Sequence, residues 1–429
     1  MRSRSGVWPL RVASPGDIRH GARPADGDAR VAAVWRIVWR YLAVAVLARL
    51  ADEGARVALL LLALAVTGST VFGGLLVAAF MVPHVLAAPV VGALADRVRR
   101  RTPTYVAFLM AYGTAIAACA VSAGRLPAPA VLAVAVAGGC FAPLATGGLS
   151  SLLRDLVPAD DRDRAYALDV MTYNTAGVCG PAVAALLSAA LGPRPATVVI
   201  AGCALVAGLC MASLSLPDRP PATGALNIRA IGGDALATIW RTRSLRAVTV
   251  ATSLAAVSAG ATPMVAALLA ARYHAGYATG ALLSAMAVGG LLGSLAYARR
   301  PVRWLGPERV VMTCIAASAA PLAMLPLVPG VVAGLLVFAV SGFFLGPQAA
   351  ALFASRDRHT PAVVHTQVFT LGAGLKITAA AAGAALAGAG AAFGADRLSV
   401  AVAGFAAAAA GIGMAFLPAR HAAGAPDDI

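Results

Sequence analysis

The sequence predicts an all-α polytopic membrane protein with twelve transmembrane helices arranged as two six-helix pseudo-repeats. Three observations predict it. The chain is 60% hydrophobic with a mean hydropathy of +0.82 and only 12% charged residues, where soluble domains carry about 25%. Apolar runs of roughly 20 residues recur along its length, each long enough to cross about 30 Å of hydrocarbon. The pattern of the first half also returns in the second.

The twelve runs cover 39–66, 72–95, 103–123, 128–152, 165–191, 195–216, 244–271, 277–298, 308–328, 330–352, 363–391 and 396–418. Residues 1–35 mix Arg, Pro, Gly and Asp without a continuous apolar core and read as a disordered tail. They lack the form of a cleaved signal peptide. A first bundle over 36–216 is followed by a polar linker, 217–243, with Pro217, Pro220 and Pro221. A second bundle over 244–418 and a tail over 419–429 complete the chain.

The charge is +16, and its distribution argues for orientation rather than nucleic acid. Of the 34 Arg and Lys residues, 27 fall in or at the edge of the N-terminal tail, the C-terminal tail or the even-numbered gaps, four on the opposite side and three deep within spans. This positive-inside bias places both termini in the cytoplasm of a cell whose plasma or inner membrane holds the chain. All six cysteines fall in spans without a Cys-x-x-Cys pair, so neither a metal site nor a disulfide framework is expected, and no cofactor. The sequence contains no His-Glu-x-x-His, Gly-x-Ser-x-Gly or Gly-Lys-Ser/Thr loop. An enzyme or an ATP-driven pump is therefore not expected.

The halves echo each other at one offset. Gly92 and Leu94 return 201 residues later as Gly293 and Leu295, again before a basic loop. At that offset Arg164 at the start of the fifth run matches His365 at the start of the eleventh. Parallel six-helix repeats hold a substrate near the midplane between them, and rocking of the halves exposes it to each side.

The loop between the second and third runs holds Gly92, Leu94, Asp96, Arg97, Arg100 and Arg101. It resembles the Gly-x-Leu-x-Asp-Arg-x-Gly-Arg-(Arg/Lys) signature of major facilitator superfamily transporters, with Arg99 standing where the family has Gly. The resemblance covers about 40–418. It implies that Asp96 and its arginines lock one conformation through contacts near helix ends; the alternative is a solvated loop that sets topology alone. Gly177, Gly180 and Pro181 resemble a Gly-Pro motif of family exporters in the fifth span, a helix bend, with alanines at its flanking positions 176, 184 and 185. The arginine that many proton-coupled drug exporters carry within the fourth span is missing; Arg154 lies at that span's end.

Charges inside the membrane are the remaining signal. Arg49, Asp52, Glu53 and Arg56 sit mid-span in the first run. At 100° per residue they point to about 0°, 300°, 40° and 340°, one arc of the helix. Each acid is three or four residues from either base, so each can pair with either. An unpaired charge at mid-bilayer costs at least ~2.5–3.5 kcal/mol, so the arc is expected to face the protein or a wet cavity. Asp52 or Glu53 then binds a proton or a cation, or the four form a permanent structural cluster. Lys376, the chain's one lysine, lies deep in the eleventh run. It pairs with an acid of the first half, binds an anionic group, or snorkels. Asp169 and Tyr173 share a face of the fifth run, with Asp169 reading as a loop anchor. His84 reads as a packing residue, and Gln348 as a cavity candidate.

These readings predict a secondary transporter, drug-efflux-like, that exports a lipophilic or amphipathic small molecule with proton coupling and works as a monomer in the bilayer. Proton-coupled uptake of a polar solute is the alternative, and a non-transporting descendant of the fold a more distant one.

Overall fold

The computed structural model describes residues 24–218, 233–275, 278–302 and 304–417. Among them every regular element is helical. The first-half passes are α1 (Pro24–Thr67), α2 (Thr70–Arg97), α3 (Arg101–Ser122), α4 (Ala128–Leu156), α5 (Arg162–Leu191) and α6 (Pro193–Ala212). The second half contains α7 (Arg243–Arg272), α8 (Ala278–Arg299), α9 (Pro307–Ala323), α10 (Val331–His359), α11 (His365–Ala389) and α12 (Gly394–Phe416).

Eleven of these are long and apolar enough to cross a membrane by composition alone. Helix α1 is the twelfth pass. Its four charges within 49–56 dilute its hydropathy, and their burial inside the bundle makes the crossing tolerable. At 44 residues and 1.5 Å per residue it is about 66 Å long, so it extends well beyond the hydrocarbon. Its start at Pro24 corrects the reading of 1–35 as wholly disordered: Ala29, Ala32 and Ala33 favour helix and continue the first turn outward. Residues 1–23 lie outside the described residues, as does 419–429. Most of the linker lies outside them too, but Gly233–Arg241 forms a short amphipathic helix that buries Ala235 and Ile239 against Val364 and Val368 of the α10–α11 connection and α11.

Short connections fold neighbouring passes back on each other. Pro127, Pro193 and Pro307 begin or precede helices where a missing N–H costs nothing. Helix α4 contains one π-helical turn, Leu144–Gly148, fully buried. Within the second half α8 and α10 pack most closely. Their backbones meet where Gly289 and Gly293 face Ala339 and Phe343, and where Gly342 faces Met286, the small-residue contact that lipid-embedded helices use.

The halves meet along two seams, α2 with α11 and α5 with α8 and α10. The 201-residue offset relates α2 to α8 and α5 to α11, so the α2–α11 and α5–α8 contacts are counterparts of one another. The bundle has a basic end, where α2, α4 and α10 finish and α5 and α11 begin, and an opposite end.

Candidate functional site: a central charged cavity and a bolted basic end

A cavity of about 450 Å³ lies between the halves, within the usual range for small-molecule sites. It is lined by α1, α4 and α5 on one side and α7–α12 on the other, α3 and α6 standing behind. Arg49, Asp52, Glu53 and Arg56 all reach it, and so does Lys376. The arc of charges on α1 therefore faces the interior, as the helical spacing predicts.

The pairing differs from the sequence expectation. Arg49 meets neither Asp52 nor Glu53. Its guanidinium donates to Asp169 on α5, at 2.7 Å to Oδ1 and 2.9 Å to the backbone carbonyl. It also reaches Ser150 on α4 at 3.0 Å and the Thr172 hydroxyl, and lies 3.5 Å over the Tyr173 ring. Tyr41 and Ser150 donate to the same carboxylate, each at 2.7 Å. Asp169 is wholly buried, which overturns its reading as a loop anchor. A carboxylate with four donor contacts from two other helices outcompetes two acids on Arg49's own helix.

Arg56 thereby serves both remaining acids, donating to Asp52 at 2.6 Å and Glu53 at 2.9 Å. Asp52 is buried and also accepts from Tyr112 of α3 at 2.7 Å. Among the described residues Glu53 pairs with Arg56 alone, and its side chain is 31% exposed. Nearby on α2, His84 Nε2 lies 3.3 Å from the Thr146 hydroxyl in the π-helical turn.

Gly180 of the Gly-Pro pair touches this cluster. A Cβ there would stand 2.9 Å from Glu53 Cβ and from Gly54 N, so α5 closes on α1 beside the two acids. Pro181 follows within a helix that runs unbroken to Leu191. Gly177 faces open space.

The signature loop lies at the basic end. Asp96 accepts the backbone N–H groups of Thr366 at 2.9 Å and Gln367 at 3.0 Å, capping α11, where the helix dipole favours an anion. Gly92 lets α2 reach α11: a Cβ would meet Gln367 Cα at 2.7 Å. Arg101 is buried and paired with Asp155 of α4; Arg97 is half-buried and Arg100 exposed.

A second cluster crosses the halves here. Asp357 at the end of α10 takes Arg162 at 3.0 Å, His365 Nε2 at 3.2 Å and Arg154 at 3.6 Å. Arg154 also donates to the Thr360 carbonyl at 2.8 Å, and Arg358 meets Asp163 at 3.7 Å. Among the described residues, every hydrogen bond and ion pair between halves lies from this end up to the level of Asn174 with Ser294 and Thr370 with Ala88. This end is closed.

Sequence reasoning missed Arg356. It counts among the loop arginines by position, yet α10 continues to His359 and buries the guanidinium against α11 at the cavity floor. The available signal was helix continuity: nothing between 352 and 359 breaks a helix, and the first breaker is Pro361.

Comparison with known proteins agrees with this architecture. The chain is 31% identical over 330 residues to an uncharacterized MFS-type transporter, y4rN, of Sinorhizobium fredii, covering 74% of this chain and 80% of that one. In structure it is similar to the human organic anion transporter MFSD10, with a TM-score of 0.71, 19% identity, and 89% and 99% of the two chains covered. It is similar also to FucP of E. coli in the outward conformation, with a TM-score of 0.69, 14% identity, and 89% and 99% covered. The model of the Major Facilitator Superfamily matches residues 41–373, and with two six-helix halves, a central cavity and the Asp96 cap on α11, the chain belongs to that superfamily.

Proposed function

We propose that the protein is a secondary transporter that exports an amphipathic small molecule by alternating access, driven by protons that load on Glu53. The observation that carries this reading is the unequal pairing on α1: two acids share one arginine, and the partly exposed Glu53 has the weaker hold on it. Asp52, locked by Arg56 and Tyr112, positions the arginine. Protonation of Glu53 leaves Arg56 to Asp52 alone and neutralises the cluster, which lowers the cost of enclosing it when the cavity closes to water.

The same reading places the chain as a monomer in the plasma or inner membrane. Its basic end and both termini face the cytoplasm, and the bundles over 36–216 and 244–418 are the rocking units. The closed basic end then makes this an outward-facing state. Export is favoured over uptake of a polar solute by a cavity wall made mostly of Ala, Leu, Ile and Met side chains on α7–α12.

The test is compound accumulation in an efflux-deficient bacterium expressing the chain, with and without an uncoupler. Glu53→Gln and Asp52→Asn variants of matched membrane abundance run beside it. Export that the uncoupler and Glu53→Gln both abolish supports the reading. Export that persists in Glu53→Gln removes Glu53 from coupling, and uncoupler-sensitive entry of a polar compound would reverse the direction.

A further inference from the structure

Four cations face the cavity, and among the described residues two of them have no protein anion. Arg49 is held by Asp169, and Arg56 by Asp52 and Glu53. Arg356 is 1% exposed, yet among the described residues its Nε and one Nη have no hydrogen-bond partner. Its sequence neighbour Asp357 is taken by Arg154, Arg162 and His365. Lys376 makes no hydrogen bond or ion pair among the described residues, and the charged group acting on it is Arg356. A buried cation without a counter-ion is costly, and the partly buried Lys376 beside Arg356 adds to that cost.

The geometry around them is built. Gly372 lies against the guanidinium: a Cβ there would stand within overlap distance of its Nη and Cζ atoms, with Nη1 at 2.8 Å. The missing side chain leaves a slot that the Arg356 guanidinium fills against α11. Lys376 is four residues on, hence on the same face of α11 and about 6 Å along its axis. A planar fork and an ammonium so placed suit one anionic head of two or three oxygens. Above them the cavity wall turns apolar at Leu345, Ala349, Ile377 and Ala380, while Gln348 offers a neutral polar contact.

We propose that Arg356 and Lys376 bind the acidic head of an amphipathic organic anion, with a carboxylate, sulfonate or phosphate ester against the two cations and a lipophilic body along α7–α12. The inference rests on the transport reading for its biological meaning, but binding tests it separately. The anion takes the second-half cations while the proton loads the first-half acid, so the two events occupy different walls of one cavity.

The experiment is equilibrium binding of 1-pyrenebutyrate and of its uncharged amide to the purified full-length protein in phosphatidylcholine nanodiscs, followed by pyrene fluorescence. The acid should bind at least tenfold more tightly than the amide. Lys376→Met and Arg356→Gln should each erase that preference, and Lys376→Arg should keep it, with thermal unfolding showing that each variant is folded. Equal affinity for acid and amide, binding of neither, or a preference that survives Lys376→Met overturns the proposal. Competition by phosphatidylglycerol added to the nanodiscs would assign the head group to a lipid and overturn the free-anion form. Preferential binding of the acid without its flux in proteoliposomes would retain the anion site and reject the transport reading instead.

Discussion

Arg49 and Asp169 show how a membrane interior decides between partners. In water an Arg with acids at i+3 and i+4 gains only tenths of a kcal/mol from either. In the bundle, Asp169 brings a carboxylate and a backbone carbonyl from α5, and Tyr41 and Ser150 satisfy the carboxylate's other lone pairs. Removing one member of such a pair leaves an uncompensated buried charge, at a cost of about 3–5 kcal/mol. Arg49→Leu or Asp169→Leu should therefore destabilise the protein by about that amount, and the double variant by less than either. Thermal unfolding of the three purified variants reads this directly; additive losses would mean that the pair is not an energetic unit.

At the scale of the helix, close approach rather than charge does the positioning. The π-helical turn in α4 presents Gly147 to α11, where a Cβ would stand 2.6 Å from the Phe369 carbonyl oxygen and 2.8 Å from its carbon. Backbone cannot yield as a flexible side chain can, so Gly147→Ala should push the start of α11 away from α4. With cysteines placed at Ser151 and Thr366, whose hydroxyls are 3.2 Å apart, disulfide yield should fall at least by half in Gly147→Ala. Gly177→Ala, which meets nothing within 4 Å, should leave the yield unchanged. The Gly-Pro motif is legible in the sequence as a motif. Which of its glycines makes the contact is not, since that depends on the rotation of α5 against α1.

For the whole molecule, Asp357 joins the halves at the basic end through Arg154 and Arg162 and braces His365 at the start of α11. Net contributions of about 1.5–3 kcal/mol per charged hydrogen bond imply that Asp357→Asn shifts the balance between closed and open basic ends by about tenfold to a hundredfold. Spin labels at the exposed positions Arg99 and Arg300 should show a longer-distance population in double electron–electron resonance, absent from the parent. An unchanged distance distribution would make the cluster dispensable to closure. Asp96→Asn should act in the same direction but more weakly, because an amide oxygen can still accept one α11 N–H group.

The sequence by itself determined the twelve passes, their division into two repeated halves, the inward arc of charges on α1 and the signature loop at a helix boundary. Each follows from local information: run length against bilayer thickness, 100° per residue, and a contiguous motif. The tertiary structure alone decided who pairs with whom. Asp169 displaced Asp52 and Glu53 as the partner of Arg49, and Asp96 found backbone amides of α11. These choices turn on which helix faces which across 120 to 270 residues of chain separation. In a low-dielectric interior the best-satisfied network wins over the nearest neighbour in sequence.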